Sequence, residues 1–584
     1  MTESIDRRSF LKGGLLAGAG AMAAGMIGCS PSNGTKAEEP SFSGDQPLEK
    51  PRWSWDTVPE PIPDDEIIET IDAEIVVVGA GISGLPAAMY AAEHGTNVHV
   101  IEKQLTYGTH RSGFAAVNAR VQKEVGIELD RNDRTEALNS IYQISGRYQV
   151  NQELWARYFD ESGEMADWLT DIAESKGAHI RPGLFGIPTT GENFKTPPAP
   201  QSVSGFWGGW DMQLSFYQDN PAPFAEDYDW TGMEAGYAEE QGAVFHYGEA
   251  GIRLIREDDN KGRVSAVITE DRDGKFRRYN ASKGIILTSG DFIHDDEMLE
   301  CYAPQALMTF YNYGEPTNTG QMHRAGMWIG AMMEDMAVLD HWPGQTTTGK
   351  SLRPQDDPSL AAFSNWCWQP ALAASATLWV DQNGRRFTCE ETAPGAGSTS
   401  TANCLTSVPA GGWCWSIWDG AWEEKYASVV GSFSPMTFNT PEQMEADIKE
   451  GLTIKADTLD ELIEKMGVDP AVFKATLERY NQLCAEGYDS DCLKSAQWLQ
   501  TIDTPPYYAA SIGTAIDCVR CGLVVDRNMQ CIDADAKPIE GLYASGNVAG
   551  GWYGDVYTPM FGASGTGHGM FGGWLAAKIL CGNA

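Results

Sequence analysis

Basic residues are scarce in this 584-residue sequence: 42 Lys and Arg stand against 81 Asp and Glu, a formal net charge of -39. So acidic a surface repels phosphate backbones and anionic lipid headgroups, which excludes nucleic acid and acidic membranes as expected partners. The 12 cysteines form no Cys-x-x-Cys-His haem site and no spaced run of an iron–sulfur protein. No metal site is expected. The apolar run from Gly13 to Gly28 falls short of the roughly 20 residues a membrane-spanning helix needs. Only one glycine-rich dinucleotide loop is present, so no second nucleotide site for NAD(P)H is expected.

What is present begins with an address. Asp6-Arg7-Arg8-Ser9-Phe10-Leu11-Lys12, followed by that short apolar run, has the pattern of a twin-arginine export signal over residues 1–29. Export to the periplasm or cell surface is the expectation. Met26-Ile27-Gly28-Cys29-Ser30 is compatible both with a lipid-anchoring cysteine and with ordinary small residues at a cleavage site; membrane attachment is expected only if Cys29 is lipidated. Residues 30–69 are polar and Pro-rich without periodicity and read as a disordered linker. Cys518-Val519-Arg520-Cys521 is the one close cysteine pair, read as buried thiols with a redox pair as the alternative.

The chemistry starts at residue 74. Glu74–Val78 is a mostly apolar, β-branched run suited to a buried parallel strand. Gly79-Ala80-Gly81-Ile82-Ser83-Gly84 follows at once, then helical composition to His94, a stop at Gly95, and a second strand Asn97–Ile101 closed by Glu102. Gly79 permits the tight turn, Gly81 lets a pyrophosphate approach the backbone, and Gly84 allows close helix–strand packing. The helix N-terminus presents its positive pole to the phosphates. Glu102 can accept both ribose hydroxyls. Strand, loop, helix, strand and acid at this spacing predict a dinucleotide-binding βαβ unit.

Further motifs extend the pattern. Arg111-Ser112-Gly113, Lys283–Phe292 with its Ser289-Gly290-Asp291 turn, Asn318-Thr319-Gly320 and Gly541–Gly551 with Ser545-Gly546-Asn547 appear in order. With them the chain, from about Asp72 to Ala577, resembles the fumarate reductase and 3-ketosteroid dehydrogenase group of flavoproteins. The resemblance implies an α/β fold in which a Rossmann-like FAD-binding domain (70–335 and 508–584) is interrupted by an α+β capping domain (336–507). It implies FAD as cofactor, held by Gly79, Gly81, Ser83, Gly84, Glu102, Lys103, Ser112, Gly113, Gly290, Gly546, Asn547, Ser564 and Gly565. A last helix, Thr566–Ile579, would point its N-terminus at the flavin ring. Because Arg111-Ser112 is followed by glycine rather than by the histidine that carries FAD in succinate dehydrogenases, noncovalent binding is implied.

Departures from the resemblance narrow the substrate. Pro394 stands where the proton-donating arginine of fumarate reductases falls, beyond the turn Gly384-Arg385-Arg386-Phe387; Arg386 itself reads as structural. Cys518 stands for a substrate histidine, and Tyr557 for a carboxylate-clamping arginine. A dicarboxylate without its cations is costly to bury, so fumarate and succinate are disfavoured. In 3-ketosteroid dehydrogenases a tyrosine of this loop grips an enone carbonyl with a nearby glycine N–H, which makes Tyr557 and Gly562 the implied pair. A packed tyrosine is the plain alternative. His341 lies near another substrate-histidine position, and His568 lies in the last helix close to the expected ring. Trp366, Trp368, Trp413 and Trp415 read first as core and second as walls for a flat apolar substrate.

The expected activity is reduction of the C=C bond of an enone-type molecule by hydride from flavin N5, with electrons from a separate donor: a membrane cytochrome, a quinol-linked protein or another flavoprotein. Three alternatives stay open: a dehydrogenase of a ketosteroid-like substrate, a fumarate- or urocanate-type reductase of anaerobic respiration, and an electron-transfer subunit with no substrate of its own.

Overall fold

The apolar run at 75–78 forms the centre of the main sheet. In a computed structural model, residues 52–108, 113–145, 148–184, 187–192, 195–196, 209–210, 212–218, 229–309, 311–312, 314–346, 377–390, 412–426, 441–554, 557 and 563–584 are described. The chain divides into a segment Met1–Thr57 and a unit Val58–Ala584. Of the first, only the last residues are described, including a turn of 3-10 helix at Ser54–Asp56. Arg7, Arg8 and Cys29 lie outside the described residues.

In the larger unit the first strand spans Ile67–Val78. It starts inside the stretch expected as linker, because Ile67–Ile71 pair in parallel with Phe276–Tyr279. Backbone hydrogen bonds recruit the polar residues of this segment without any hydrophobic periodicity to announce them. Ile75–Val78 pair on one side with Gly284–Leu287 and on the other with Val98–Ile101, both in parallel. Val244–Tyr247 and Pro538–Ala544 extend the parallel part, and a hairpin (Glu249–Arg256, Val264–Asp271) joins it antiparallel. Helices Gly84–Glu93 and Ser564–Leu580 both belong to this sheet's hydrophobic core. The mixed α/β architecture is the expected one.

A second sheet is built on a single 14-residue strand, Tyr507–Arg520. It takes Val338–Thr346, Trp413–Asp419 and Thr453–Ala456 as antiparallel neighbours. The boundary expected at 507/508 therefore falls at the start of this strand. Two hydrophobic clusters drawn from Leu378–Ile512 cover the sheet, and Trp415 is buried in one of them with Trp413 packed against it. The helical stretch expected over Thr458–Tyr480 is two helices, Leu459–Met466 and Pro470–Glu486. Gly467 takes the left-handed conformation (φ 70°) that ends the first. Asp469 caps the second through the Ala471 and Val472 N–H groups, ahead of Pro470.

Arg386 is structural here. Its guanidinium forks onto Glu390 (2.8 and 2.7 Å) and reaches Asp489 (2.7 Å) over the face of Tyr480. Lys494, fully buried, adds a second cation 3.5 Å from Glu390 and donates to Thr377 O and Tyr480 Oη.

Candidate active site

The glycine loop is fixed by steric demand. Gly79 has φ 115°, and a Cβ there would stand 2.4 Å from Thr288 O. At Gly84 a Cβ would stand 1.9 Å from Gly79 O. Gly81 differs: among the described residues, chain neighbours aside, nothing lies within 4 Å of the place its Cβ would occupy. Packing does not require glycine there, so the open space beside the backbone is the fit expected for a pyrophosphate held at the helix that follows. Glu102 closes the unit, its carboxylate accepting Ala80 N–H (2.8 Å) and Gln104 N–H (2.7 Å). Burial pushes its pKa up, against those two bonds. Each oxygen keeps a second lone pair for a ribose hydroxyl.

The other expected contacts distribute unevenly. Lys103 directs its ammonium away, donating to Thr317 O (2.7 Å), Thr319 Oγ1 (3.0 Å) and Gln321 Oε1 (3.0 Å). It clamps the segment around Asn318, and those three bonds take all three of its N–H donors. Gly113 is buried in a short strand paired with Ser215, while Ser112 lies outside the described residues. Gly290 (φ 75°) packs on Asn318, with 2.5 Å between a Cβ position and Oδ1. Ser83 sits between the two halves of the expected cofactor site. A Cβ at Gly546 or at Gly569 would come within 2.5 or 2.7 Å of its hydroxyl. The first loop, the Gly546-Asn547 turn and the C-terminal helix thus meet at one place.

At the N-terminus of that helix stands Tyr557. Its phenol oxygen accepts the Gly565 N–H at 3.1 Å and the Ser564 hydroxyl at 3.4 Å. Tyr553 Oη is 3.2 Å from Ser564 Oγ, and the two tyrosine rings lie 5.2 Å apart. Gly562, the expected partner, lies outside the described residues; the glycine N–H seen at Tyr557 belongs to Gly565. Pro394, Trp366 and Trp368 also lie outside them. His341 is a strand residue whose backbone pairs with Ile516. His568 is 1% exposed, its ring 4.6 Å from Trp552, and burial drives its pKa far down, keeping it neutral. Cys518 and Cys521 are both buried.

Three side chains at this place had no assigned role in the sequence reading. Arg520 ends the long strand, donates to Asn547 Oδ1 (3.0 Å), and places its guanidinium 4.6 Å from the Tyr557 ring centroid and 5.2 Å from that of Tyr553. Asp291 accepts Ile293 N–H and Val519 N–H; burial lifts its pKa to about 6. Glu334 accepts Gly522 N–H and Gly551 N–H, with burial lifting its pKa to about 7. The two carboxylates tie the end of the long strand to the glycine-rich segment after Asn547.

A raised carboxyl pKa makes the folded state the better proton binder. The Glu334 contribution is thus fully present below the unfolded value near 4.5 and is lost as pH rises through about 7. The magnitude is roughly 3 kcal/mol. Glu334→Gln, which cannot ionise, is expected to be less stable than wild type at pH 5, because an amide serves only one of the two N–H groups. The stability gap should narrow by pH 8. Thermal midpoints of both proteins from pH 4.5 to 8.5 check this, and a gap that widens with pH would refute it.

The sequence matches the FAD binding domain family over residues 74–560. The chain belongs to this FAD-binding family. It is an FAD-dependent oxidoreductase, and the open space at Gly81 is consistent with that cofactor. The flavoprotein is 24% identical to a vinyl phenol reductase of Lactiplantibacillus plantarum, covering 86% of this chain and 94% of that one. It is 26% identical to a 3-oxosteroid 1-dehydrogenase of Mycolicibacterium smegmatis, covering 88% and 97%. Among solved structures, a 3-ketosteroid-Δ4-(5α)-dehydrogenase of Rhodococcus jostii superposes with a TM-score of 0.63 at 20% identity, over 89% of this chain and 99% of that one. That likeness speaks for the fold.

Proposed function

We propose that this flavoprotein reduces the C=C bond of a conjugated carbonyl compound, with Tyr557 gripping the carbonyl oxygen. The observation that carries the reading is the Tyr557 oxygen at the N-terminus of helix Ser564–Leu580, accepting Gly565 N–H. A phenol whose oxygen is fed by a backbone N–H and a hydroxyl is a stronger donor through its own O–H, because hydrogen bonds in a chain polarise one another. When bound, FAD supplies the hydride that carries two electrons to the β-carbon. Tyr557 holds the negative charge that then develops on the carbonyl oxygen, and a proton from solvent completes the α-carbon. The reverse sequence would make a dehydrogenase. The names of the relatives, a vinyl phenol reductase and a 3-oxosteroid 1-dehydrogenase, include both words.

The hydrophobic clusters drawn mainly from residues 378–502 support reading 336–507 as a cap over the site, which an electron carrier would not need. Glycine at 113 supports noncovalent FAD. The Arg7-Arg8 pattern supports export, with a separate protein delivering electrons. Among the described residues no helix is long and apolar enough to cross a membrane.

FAD-loaded protein reduced by viologen should be reoxidised by enones in a panel that includes fumarate and urocanate. Reoxidation by fumarate alone would overturn the reading, and reoxidation by none would favour an electron carrier. Lys-Lys at positions 7 and 8 should hold the protein in the cytoplasm; unchanged export would remove the twin-arginine reading.

A further inference from the structure

Aromatic rings stand in one continuous file from Tyr557 to the protein surface. Between ring centroids, Tyr557 lies 5.2 Å from Tyr553, Tyr553 6.0 Å from Trp155, and Trp155 5.8 Å from Tyr158. Tyr158 continues to Phe571 (5.4 Å), and Phe571 to Trp574 (6.0 Å) along helix Ser564–Leu580. Trp574 then meets Tyr90 of helix Gly84–Glu93 (5.8 Å), and Tyr90 meets Trp168 (5.8 Å). Trp155, Tyr158, Phe571 and Trp574 are buried, whereas Trp168 is half-buried beside the exposed Glu93. The inner end touches the implied cofactor site, because the Tyr557 oxygen accepts the N–H of Gly565.

These spacings suit ordinary aromatic packing; the placing of proton acceptors along the file does more than pack. Trp155 donates its N–H to the Trp552 carbonyl oxygen (2.6 Å), which is too weak a base to take the proton. Trp574 Nε1 has no hydrogen-bond partner among the described residues. Trp168 donates to the Glu93 carboxylate (2.8 Å). An indole that loses an electron becomes a strong acid, and a base beside it turns the radical cation into the lower-energy neutral radical. At the buried indoles an electron vacancy therefore stays a mobile cation. At Trp168 it is trapped, because the N–H proton can cross to Glu93. The acceptor sits at the outer end, and that gives the file a direction.

We propose that this file conducts single-electron oxidation outward from the flavin end of the molecule, coming to rest as a neutral indolyl radical on Trp168 with its proton on Glu93. The oxidant is light-excited flavin, which gains the electron. Each ring is refilled from the next one outward, so Trp168 ends one electron and one proton short. A dissolved ene-diol such as ascorbate then returns a hydrogen atom to the indole, and Glu93 gives its proton to water. One electron has passed from the reductant to the flavin, and the vacancy has left the side chains of the site. The file needs the flavin beside Tyr557, as the C=C-reducing reading does, and needs nothing else of that reading.

The test uses FAD-loaded full-length protein. Transient absorption after a blue flash follows the tryptophan radical, and dark turnover of enones with reduced viologen follows the other reading separately. Wild type should show the neutral indolyl spectrum, persisting until ascorbate removes it. Trp168→Phe should lose that signal, with the charge recombining inside the file, while dark turnover stays unchanged. Glu93→Gln keeps a hydrogen-bond acceptor but removes the base. It should replace the neutral spectrum with the longer-wavelength one of the radical cation, and it carries the test if the phenylalanine variant does not fold. A neutral radical undiminished in either variant would overturn the proposal, as would a wild type that forms no tryptophan radical. In that last case dark enone reduction would leave the C=C-reducing reading standing. A trapped Trp168 radical without enone turnover would do the reverse, upholding the file and sinking that reading.

Discussion

Gly81→Val should yield a folded protein that emerges from purification without FAD. Among the described residues nothing outside its chain neighbours lies within 4 Å of a Cβ at Gly81, so the polypeptide should accommodate a side chain with its thermal midpoint unchanged in the apo form. The same branches would fill the place where a pyrophosphate meets the backbone. An affinity loss of about 100-fold or more, equivalent to about 3 kcal/mol, is expected. Gly84→Ala makes the contrast. Its Cβ would stand 1.9 Å from Gly79 O, so it should cost about 1–3 kcal/mol of stability, as overpacking does, even before cofactor is added. Flavin absorbance per protein and apo thermal midpoints separate the two. An apo Gly81→Val protein that is unfolded, or one that keeps stoichiometric FAD, would contradict the assignment of that space.

Tyr557→Phe should retain FAD and lose turnover. Removing one pre-organised donor from a developing oxyanion typically lowers kcat by about 100- to 1,000-fold. KM should change little, because the phenylalanine keeps the ring that Arg520 and Tyr553 pack against. The oxygen also accepts Gly565 N–H, so its loss leaves that donor to water or substrate. For that reason FAD content and near-ultraviolet circular dichroism should accompany the kinetics. A variant with wild-type kcat on every substrate the parent reduces would make Tyr557 a packing residue.

The sequence and the structure agree where the physics is local. Gly79, Gly81 and Gly84 lie within six residues: Gly84 answers a demand of its own loop at Gly79 O, Gly79 has a positive φ there, and Gly81 leaves room beside the backbone. Glu102 is found by counting along the chain because the second parallel strand must return it to the same end of the sheet. Lys103 shows the limit of adjacency: beside Glu102 in sequence, it spends its donors on Thr317, Thr319 and Gln321, more than 200 positions away. Arg520 was hidden for a related reason. What places it is the absence of a side chain at Gly565, 45 residues later, and a glycine carries no pattern that names its tertiary neighbour. Its one local signal was a cation beside a Cys-Gly-Leu turn in a chain with a twofold excess of acid. Glu334 is similar, since its partners are two backbone N–H groups at Gly522 and Gly551, which any sequence provides.

The strand Tyr507–Arg520 has a mechanical consequence. An extended strand resists stretching, and 14 residues at about 3.3 Å each span roughly 45 Å. One end is hydrogen-bonded to Trp413–Asp419 and Thr453–Ala456, and the other carries the guanidinium that touches Asn547. Arg520 is itself part of the sheet, pairing with Val338, so a displacement of the sheet along this axis carries the guanidinium with it. The position of that sheet and the position of the cation therefore share one rigid part.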